Sequence, residues 1–242
     1  MPPDDSTPHG RVFATTRWSV VLAAGGATPA AETALSVLCR TYWYPLYAFV
    51  RRNGHAAHDA QDLTQEFFAR LIAKEWLGDV ARERGKFRSF LLAAMQHFLA
   101  NQWRDAQRLK RGGGVTFVPF DARDAEDRYS HEPADPRTAE QIYDRRWALD
   151  LLDRSLVRLR MEFEAAGKAA HFEALKFCLT GDKVALAEVA ARLGSSEGAI
   201  KVAVHRLRER YRELIRAEIA ETVDGPERIE AEMQELQAAL RS

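Results

Sequence analysis

Residues 86–111, "KFRSFLLAAMQHFLANQWRDAQRLKR", change character part-way along. Phe87, Phe90, Leu91, Ala94, Met95 and Phe98 recur at the spacing of one helix face, so the first half anchors a helix in a bundle core. Beyond them come Asn101, Trp103, Arg104, Arg108, Lys110 and Arg111. The chemistry open to such residues is binding rather than bond-making. Guanidinium and ammonium groups hold phosphates, and an aromatic side chain beside them offers a face on which an unpaired base can stack. Trp103 is the candidate wedge; a core tryptophan closing the bundle is its plain alternative. His97 is a candidate to line a base pocket, with a half-buried surface histidine as the plain alternative.

A second binding pattern lies near the other end, in "LAEVAARLGSSEGAIKVAVHRLRERY". Leu186, Val189, Ala190 and Leu193 form the inner face of a short helix. Gly194 suits the left-handed residue that ends it, and Ser196 can cap the next helix. Ile200, Val204 and Leu207 then turn inward. Lys201, His205, Arg206, Arg208, Arg210 and Arg212 are left outside. This is the pattern of a helix-turn-helix whose second helix enters the major groove. An ordinary helical hairpin with a solvated basic face is the alternative.

A third pattern runs over 58–73. Asp59, Asp62, Gln65, Glu66 and Arg70 lie to one side, with Phe67, Phe68 and Leu71 at its edge. An acidic and amide face bounded by aromatics fits a protein interface; a solvated amphipathic face fits it too. Catalytic patterns are missing. Gly112–Gly114 lack the lysine and hydroxyl residue that end a phosphate-binding loop. His55 and His58 are close in sequence but have no evident third ligand. No nucleophile–base pair stands out, so neither an enzyme nor a metal or cofactor site is expected.

The elements that must position these residues follow from composition and periodicity. The chain has 242 residues, 46% of them hydrophobic, with 35 basic residues balancing 35 acidic ones. That neutrality hides segregation. Residues 82–111 hold eight basic residues against two acids, and residues 121–140 hold seven acids against three arginines. Such asymmetry speaks of partners. Cys39 and Cys178 are far apart in apolar helical patterns, which suits a reducing compartment. No apolar run reaches the length of a membrane span and no signal peptide is evident, so a cytoplasmic protein without membrane contact is expected.

Helical spacing places a short helix over 15–24, a second over about 30–52, a third over 58–73, and the opening stretch as the fourth. "RGGGVTFVPFDARDAEDRYSHEPADPRTAE" is rich in glycine, proline and acids and reads as a linker, with "VTFVPF" as a short extended piece. Helices resume near Ala139, where Trp147, Leu151, Leu152, Leu156, Leu159 and Phe163 form a stripe. Past Asp224, Ile229, Met233, Leu236 and Leu240 make a narrow apolar seam that either packs on the second domain or docks a partner. The expected fold is all-α: two small helical domains joined by an acidic flexible linker. The divisions are a disordered terminus over 1–13, a helical domain over 14–111, the linker over 112–140, a helix-turn-helix domain over 141–223 and a helical tail over 224–242.

Three stretches in this order resemble the sigma-70 family of RNA polymerase sigma factors, of the extracytoplasmic function (ECF) type. "HDAQDLTQEFFARLI" is similar to the family's D-x-E-D-L-x-Q-E-x-F segment, which holds the coiled coil of the polymerase β′ subunit. "KFRSFLLAAMQHFLANQWRDAQRLKR" resembles the segment that melts and reads promoter DNA near position −10. "SEGAIKVAVHRLRERY" resembles the helix that reads the element near −35. The sequence departs from the family pattern at Gln61, usually an acid, and at Phe90, usually tryptophan. His97 and Asn101 stand at the usual asparagine and aspartate, and Val202 and Ala203 at the usual serine and arginine.

The resemblance implies a region 2 helical bundle over 14–111 and a region 4 helix-turn-helix over 141–223. It implies a sigma factor that binds core RNA polymerase, through the β′ clamp coiled coil and the β subunit, and directs promoter recognition, melting and initiation. Core polymerase would be held by Asp59, Asp62, Gln65, Glu66 and Phe67. The −10 DNA would be held by Arg88, His97, Asn101, Trp103, Arg104, Arg108, Lys110 and Arg111. The −35 DNA would be held by Ser196, Glu197, Lys201, His205, Arg206 and Arg208. The acidic linker would thread a polymerase channel that otherwise holds nucleic acid. An anti-sigma factor stays open as a further partner. The rival reading is a helix-turn-helix regulator that binds duplex DNA without polymerase, which leaves the basic-aromatic strip unexplained.

Overall fold

The computed structural model describes Arg17 and residues 28–73, 86–106, 126, 128–129, 136–179, 185–223 and 225–241. Most of the helix expected over 15–24, the piece "VTFVPF" and most of the linker lie outside these residues. What is described is helical, with no strand among the described residues; an isolated antiparallel bridge joins Lys86 to Val223. No described helix is long and apolar enough to cross a membrane.

Helix α1 spans Pro29–Arg52. Thr28 caps it by accepting from the Ala31 amide at 3.2 Å, with proline in the first turn, where no amide hydrogen is needed. It carries Pro45 in its interior, which removes one ladder hydrogen bond. Burial outweighs that loss, since every residue from Tyr42 to Val50 is buried. Helix α2 spans Ala57–Ile72 and helix α3 Phe87–Ala106. Helix α4, Ala139–Ala165, starts at a reciprocal cap: Thr138 accepts from the Gln141 amide while the Gln141 side chain accepts from the Thr138 amide. Helix α5 (Ala169–Leu175) runs into a 3₁₀ turn over Lys176–Leu179. Helices α6 (Leu186–Arg192) and α7 (Glu197–Ala220) form the helix-turn-helix, and α8 covers Glu227–Arg241.

Two cores result. The first gathers Leu35, Leu38, Tyr42, Leu46 and Phe49 of α1, Phe67, Phe68 and Leu71 of α2, and Phe87, Leu91, Met95 and Phe98 of α3. It also takes in Tyr143, Trp147 and Leu151 of α4, Ile215 and Ile219 at the end of α7, and Leu236 of α8. The second joins Leu159 to Phe172, Leu175, Cys178, Val189, Ile200, Val204, Leu207 and Leu214. Helix α4 thus serves both, its first half lying along α1 and its second under the helix-turn-helix. The division expected at residue 141 does not coincide with the division between the cores. The apolar seam of the tail packs within the chain: Leu236 is buried, and Ile229, Met233 and Leu240 lie against the first core.

The few described residues of the linker also dock. Glu126 binds Arg51 through Nη2 at 3.0 Å and Nε at 3.1 Å, and accepts from the Tyr47 hydroxyl. Arg128 binds Asp150 at 2.8 Å and lies 3.8 Å over the Tyr44 ring. Burial, aided by the hydrogen bond to Glu126, pushes the Tyr47 phenol well up.

Candidate nucleic-acid interface

The helix-turn-helix is built as its residue pattern expects. Leu193 caps the C-terminus of helix α6, and Gly194 follows at φ 60°, the left-handed region where a side chain is strained. The amide of Ser195 returns to the Ala190 carbonyl at 2.9 Å, which closes the turn. Ser196 then caps α7 by accepting from the Ala199 amide at 3.2 Å. Ile200, Val204 and Leu207 are buried against Val189 and Ala190. This packing fixes the opposite side of α7 outward, so Glu197, Lys201, His205 and Arg206 are exposed.

The charges on that face are partly spoken for. Lys201 lies 2.8 Å from Glu197, and His205 3.5 Å from Glu209, each one turn away. Both pairs are solvated, and pairs of this kind are worth about 0.3–0.5 kcal/mol, little enough for a phosphate to displace. Arg206 has no ion pair among the described residues. Arg208 does a different job. Its Nε and Nη2 donate to the Cys178 carbonyl at 3.0 and 2.8 Å, fastening α7 to the 3₁₀ turn. Arg210 forks onto Glu162 of α4 with two 2.8 Å contacts. Its hydrogen bond holds the Glu162 carboxyl below the ordinary glutamate range.

On α3 the expected groups divide. His97 and Asn101 are exposed one turn apart. The helix continues through positions 103 and 104. The side chains of Trp103 and Arg104, and residues Arg108, Lys110 and Arg111 altogether, lie outside the described residues. Arg88 is not available to a phosphate here. It is 5% exposed, with its guanidinium bound by Asp144, Glu232 and Glu235 and resting 4.3 Å from the Trp147 ring centroid. The physical reason is its place in α3: one residue past Phe87, it faces the seam that α4 and α8 cover. Burial works against its charge, yet Glu232 and Asp144 more than compensate and hold it firmly protonated. Asp144 sits above the usual carboxylate range because burial outweighs the attraction of Arg88.

The expected polymerase face of α2 divides likewise. Asp59 and Asp62 are exposed, and Asp62 lies 3.1 Å from His58 Nδ1. Gln65 is half-buried, its Nε2 without a hydrogen-bond partner among the described residues. Glu66 ties α2 to its neighbour: it takes Arg70 at 2.5 Å and accepts from Gln102 of α3 at 2.9 Å. Phe67 turns inward. It is wholly buried, because with Ala60, Thr64, Phe68 and Leu71 it belongs to the stripe facing α1 and α3. It meets Phe98 edge-on at 5.9 Å and cannot be part of an exposed face. Among the described residues no group of His, Cys, Asp and Glu converges as a metal site requires.

Sequence reasoning missed two roles. Spacing marks Arg208 as an outward cation but cannot show that a carbonyl 30 residues earlier receives it. Nor does any local pattern tie Arg88 to Glu232, 144 residues away. The one available signal was the run of acids at Glu227, Glu230, Glu232 and Glu235 beside an apolar seam.

The chain can now be compared with known proteins. It is 27% identical over 189 residues to the ECF RNA polymerase sigma factor SigE of Mycolicibacterium smegmatis, a match covering 78% of this chain and 64% of that relative. The chain thus spans less than two thirds of that relative's length. No solved structure matches. The model of the ECF sigma factor family matches residues 31–218, which takes in α2, α3 and the helix-turn-helix together, and the chain belongs to that family.

Proposed function

We propose that the chain is a promoter-specificity subunit of RNA polymerase, engaging core polymerase with the exposed acids of α2, promoter DNA near −35 with α7, and DNA near −10 with α3. The observation that carries the reading is the start of α7. A left-handed Gly194, a Ser196 cap and an inward row of Ile200, Val204 and Leu207 leave Glu197, Lys201, His205 and Arg206 facing out. A helix N-terminus so presented fits a major groove. Asp59 and Asp62 are the exposed carboxylates of α2 open to a basic partner surface, Asp62 in exchange for its solvated pair with His58, and the β′ clamp coiled coil is the partner assigned to them. The β subunit is the second partner proposed within core polymerase. Ser196 and Glu197 are assigned to bases, Lys201 and Arg206 to phosphates. The reading gives the chain no bond-making role.

Run-off transcription with core polymerase tests it, with promoters located by sequencing 5′ ends. Transcripts that start at defined positions only when both chain and core are present are expected. A band shift on duplex DNA that is the same with and without core, and no transcript, would favour a regulator acting alone. Within the positive outcome, Trp103→Ala separates melting from binding. Closed complexes should persist while permanganate reactivity of thymines near −10 falls, and a template pre-opened by mismatches should restore transcription. Stacking worth about 1–3 kcal/mol per base corresponds to roughly a ten- to hundredfold effect.

A further inference from the structure

Val202 is the large apolar side chain that α7 leaves in water: it is 50% exposed and belongs to neither core. A lone exposed apolar residue needs no explanation on a protein surface. What sets Val202 apart is where it stands. Ile200 and Val204 enter the second core, and each lies two residues from Val202, or ~200° around the helix. Val202 therefore points almost straight away from that core. Gly198 stands one turn before it, and His205 and Arg206 one turn after, all three exposed. The valine is at the centre of the face assigned to DNA.

No packing among the described residues calls for a valine here, and a β-branched residue is a poorer helix former than alanine or leucine. Gly198 poses the same question. Glycine is less favourable than alanine in a helix, yet a Cβ built at this position would meet nothing within 4 Å. With no reason inside the fold, the reason lies outside it. Without a side chain at 198, the first turn of α7 can come close to a surface lying across it, and the short Val202 side chain is carried into contact. Valine has neither donor nor acceptor, so it reads no hydrogen-bonding pattern. Of the groups that base pairs display in the major groove, the thymine 5-methyl is the apolar one. Against a cytosine amino group or a purine N7 the valine displaces water and returns no hydrogen bond, which weakens binding. Attraction to one base and a penalty against the others make a specificity determinant.

We propose that Val202 reads a thymine in the promoter element near −35, through van der Waals contact between its methyl groups and the thymine 5-methyl in the major groove. This rests on the sigma-factor reading, which sets α7 against that element. Lys201 and Arg206, on phosphates, fix the helix against the groove, and Val202 between them selects the base. Deoxyuridine tests the contact directly, since it keeps every hydrogen-bonding group of thymine and lacks the 5-methyl. In promoter duplexes located by sequencing 5′ ends, each thymine of the −35 element, on either strand, is replaced singly by deoxyuridine. Closed-complex formation with the chain and core polymerase is then measured by competition. One position is expected to lose about fourfold in affinity, the worth of one buried methyl group. Val202→Ser, its fold checked by a thermal melt, should bind thymine and deoxyuridine alike at that position. Its salt dependence should stay that of the wild type, because the phosphate contacts are intact. Val202→Gln, a better helix former, carries the same test if the serine protein is not folded. A wild-type chain indifferent to every replacement overturns the proposal, as does an element without an A·T pair or a polar variant that keeps the fourfold difference. The sigma-factor reading fails separately: a thymine effect that is the same with and without core keeps the contact and overturns that reading, whereas no sequence-specific binding in either case overturns both.

Discussion

Asp62 and Phe67 lie five residues apart on α2 and face opposite ways. The first is solvated, with His58 as its neighbour; the second is wholly inside. The polymerase face proposed for α2 would therefore run through Asp59 and Asp62. Asp62→Lys should weaken core binding at least tenfold if Asp62 lies at the proposed contact, because it reverses a charge there. It should move thermal stability little, since an exposed pair contributes at most ~1 kcal/mol. Glu66→Lys should behave differently. It removes the partner of Arg70 and of Gln102, loosens α2 from α3 and lowers the melting temperature. Pull-down with core, read beside a thermal melt of each variant, checks both; unchanged core binding by the Asp62 variant would move the interface elsewhere. Cys39 follows the same logic of burial, which pushes its thiol well up. In the folded chain it should resist alkylation at pH 8 and react only on unfolding, and rapid labelling of native protein would contradict its place in the core.

The elements were legible wherever one face had to be apolar. The periodicities of α1, α2, α3 and α7 are carried by residues that are buried or, like Phe90 and Ala94, partly buried against the core, and Gly194 and Ser196 mark the turn because few residue types satisfy a left-handed φ or cap an amide. The ends of long basic side chains were not legible. Arg88, Lys201 and Arg208 read alike in sequence, yet one is buried among carboxylates, one is solvated beside Glu197 and one fastens α7 to a carbonyl. Their chemistry is set by what folds against them, which no local spacing encodes. Two predictions belong at this scale. Gly194→Ala should cost about 1–2 kcal/mol from the left-handed backbone alone, since nothing lies within 4 Å of the added methyl; Gly194→Asn should cost less. A denaturant titration measures both, and equal losses would mean that the side chain is clashing instead. Lys201→Ala should weaken DNA binding about equally across sequences and reduce the slope of log affinity against log salt by roughly one. Altered sequence preference with an unchanged slope would reassign Lys201 to a base.

At the scale of the whole molecule, α4 decides how the chain behaves. The acidic linker suggested two independent domains, because composition shows where a chain lacks apolar residues but not which face of a later helix packs backward. Trp147, placed in the second domain by its position, lies in the first core against α1 and α3. The free chain should therefore unfold as one unit. Trp43 and Trp147 both report on the first core, and residues 152–214 hold no tryptophan, so fluorescence has no reporter within the second core while amide exchange over α6 and α7 follows it. Coincident transitions are expected from the two probes. Trp147→Ala should cost about 3–5 kcal/mol, a large share of the ~5–15 kcal/mol typical of a domain, because it empties a core site and removes the ring beneath Arg88. If α4 couples the cores, that loss lowers the stability of α6 and α7 as well, and Leu159→Ala in the second core lowers the fluorescence-detected transition in return. Should Trp147→Ala shift only the fluorescence signal and leave exchange over α6 and α7 at its wild-type level, the two halves fold separately and α4 is a strut between them rather than a shared part of both.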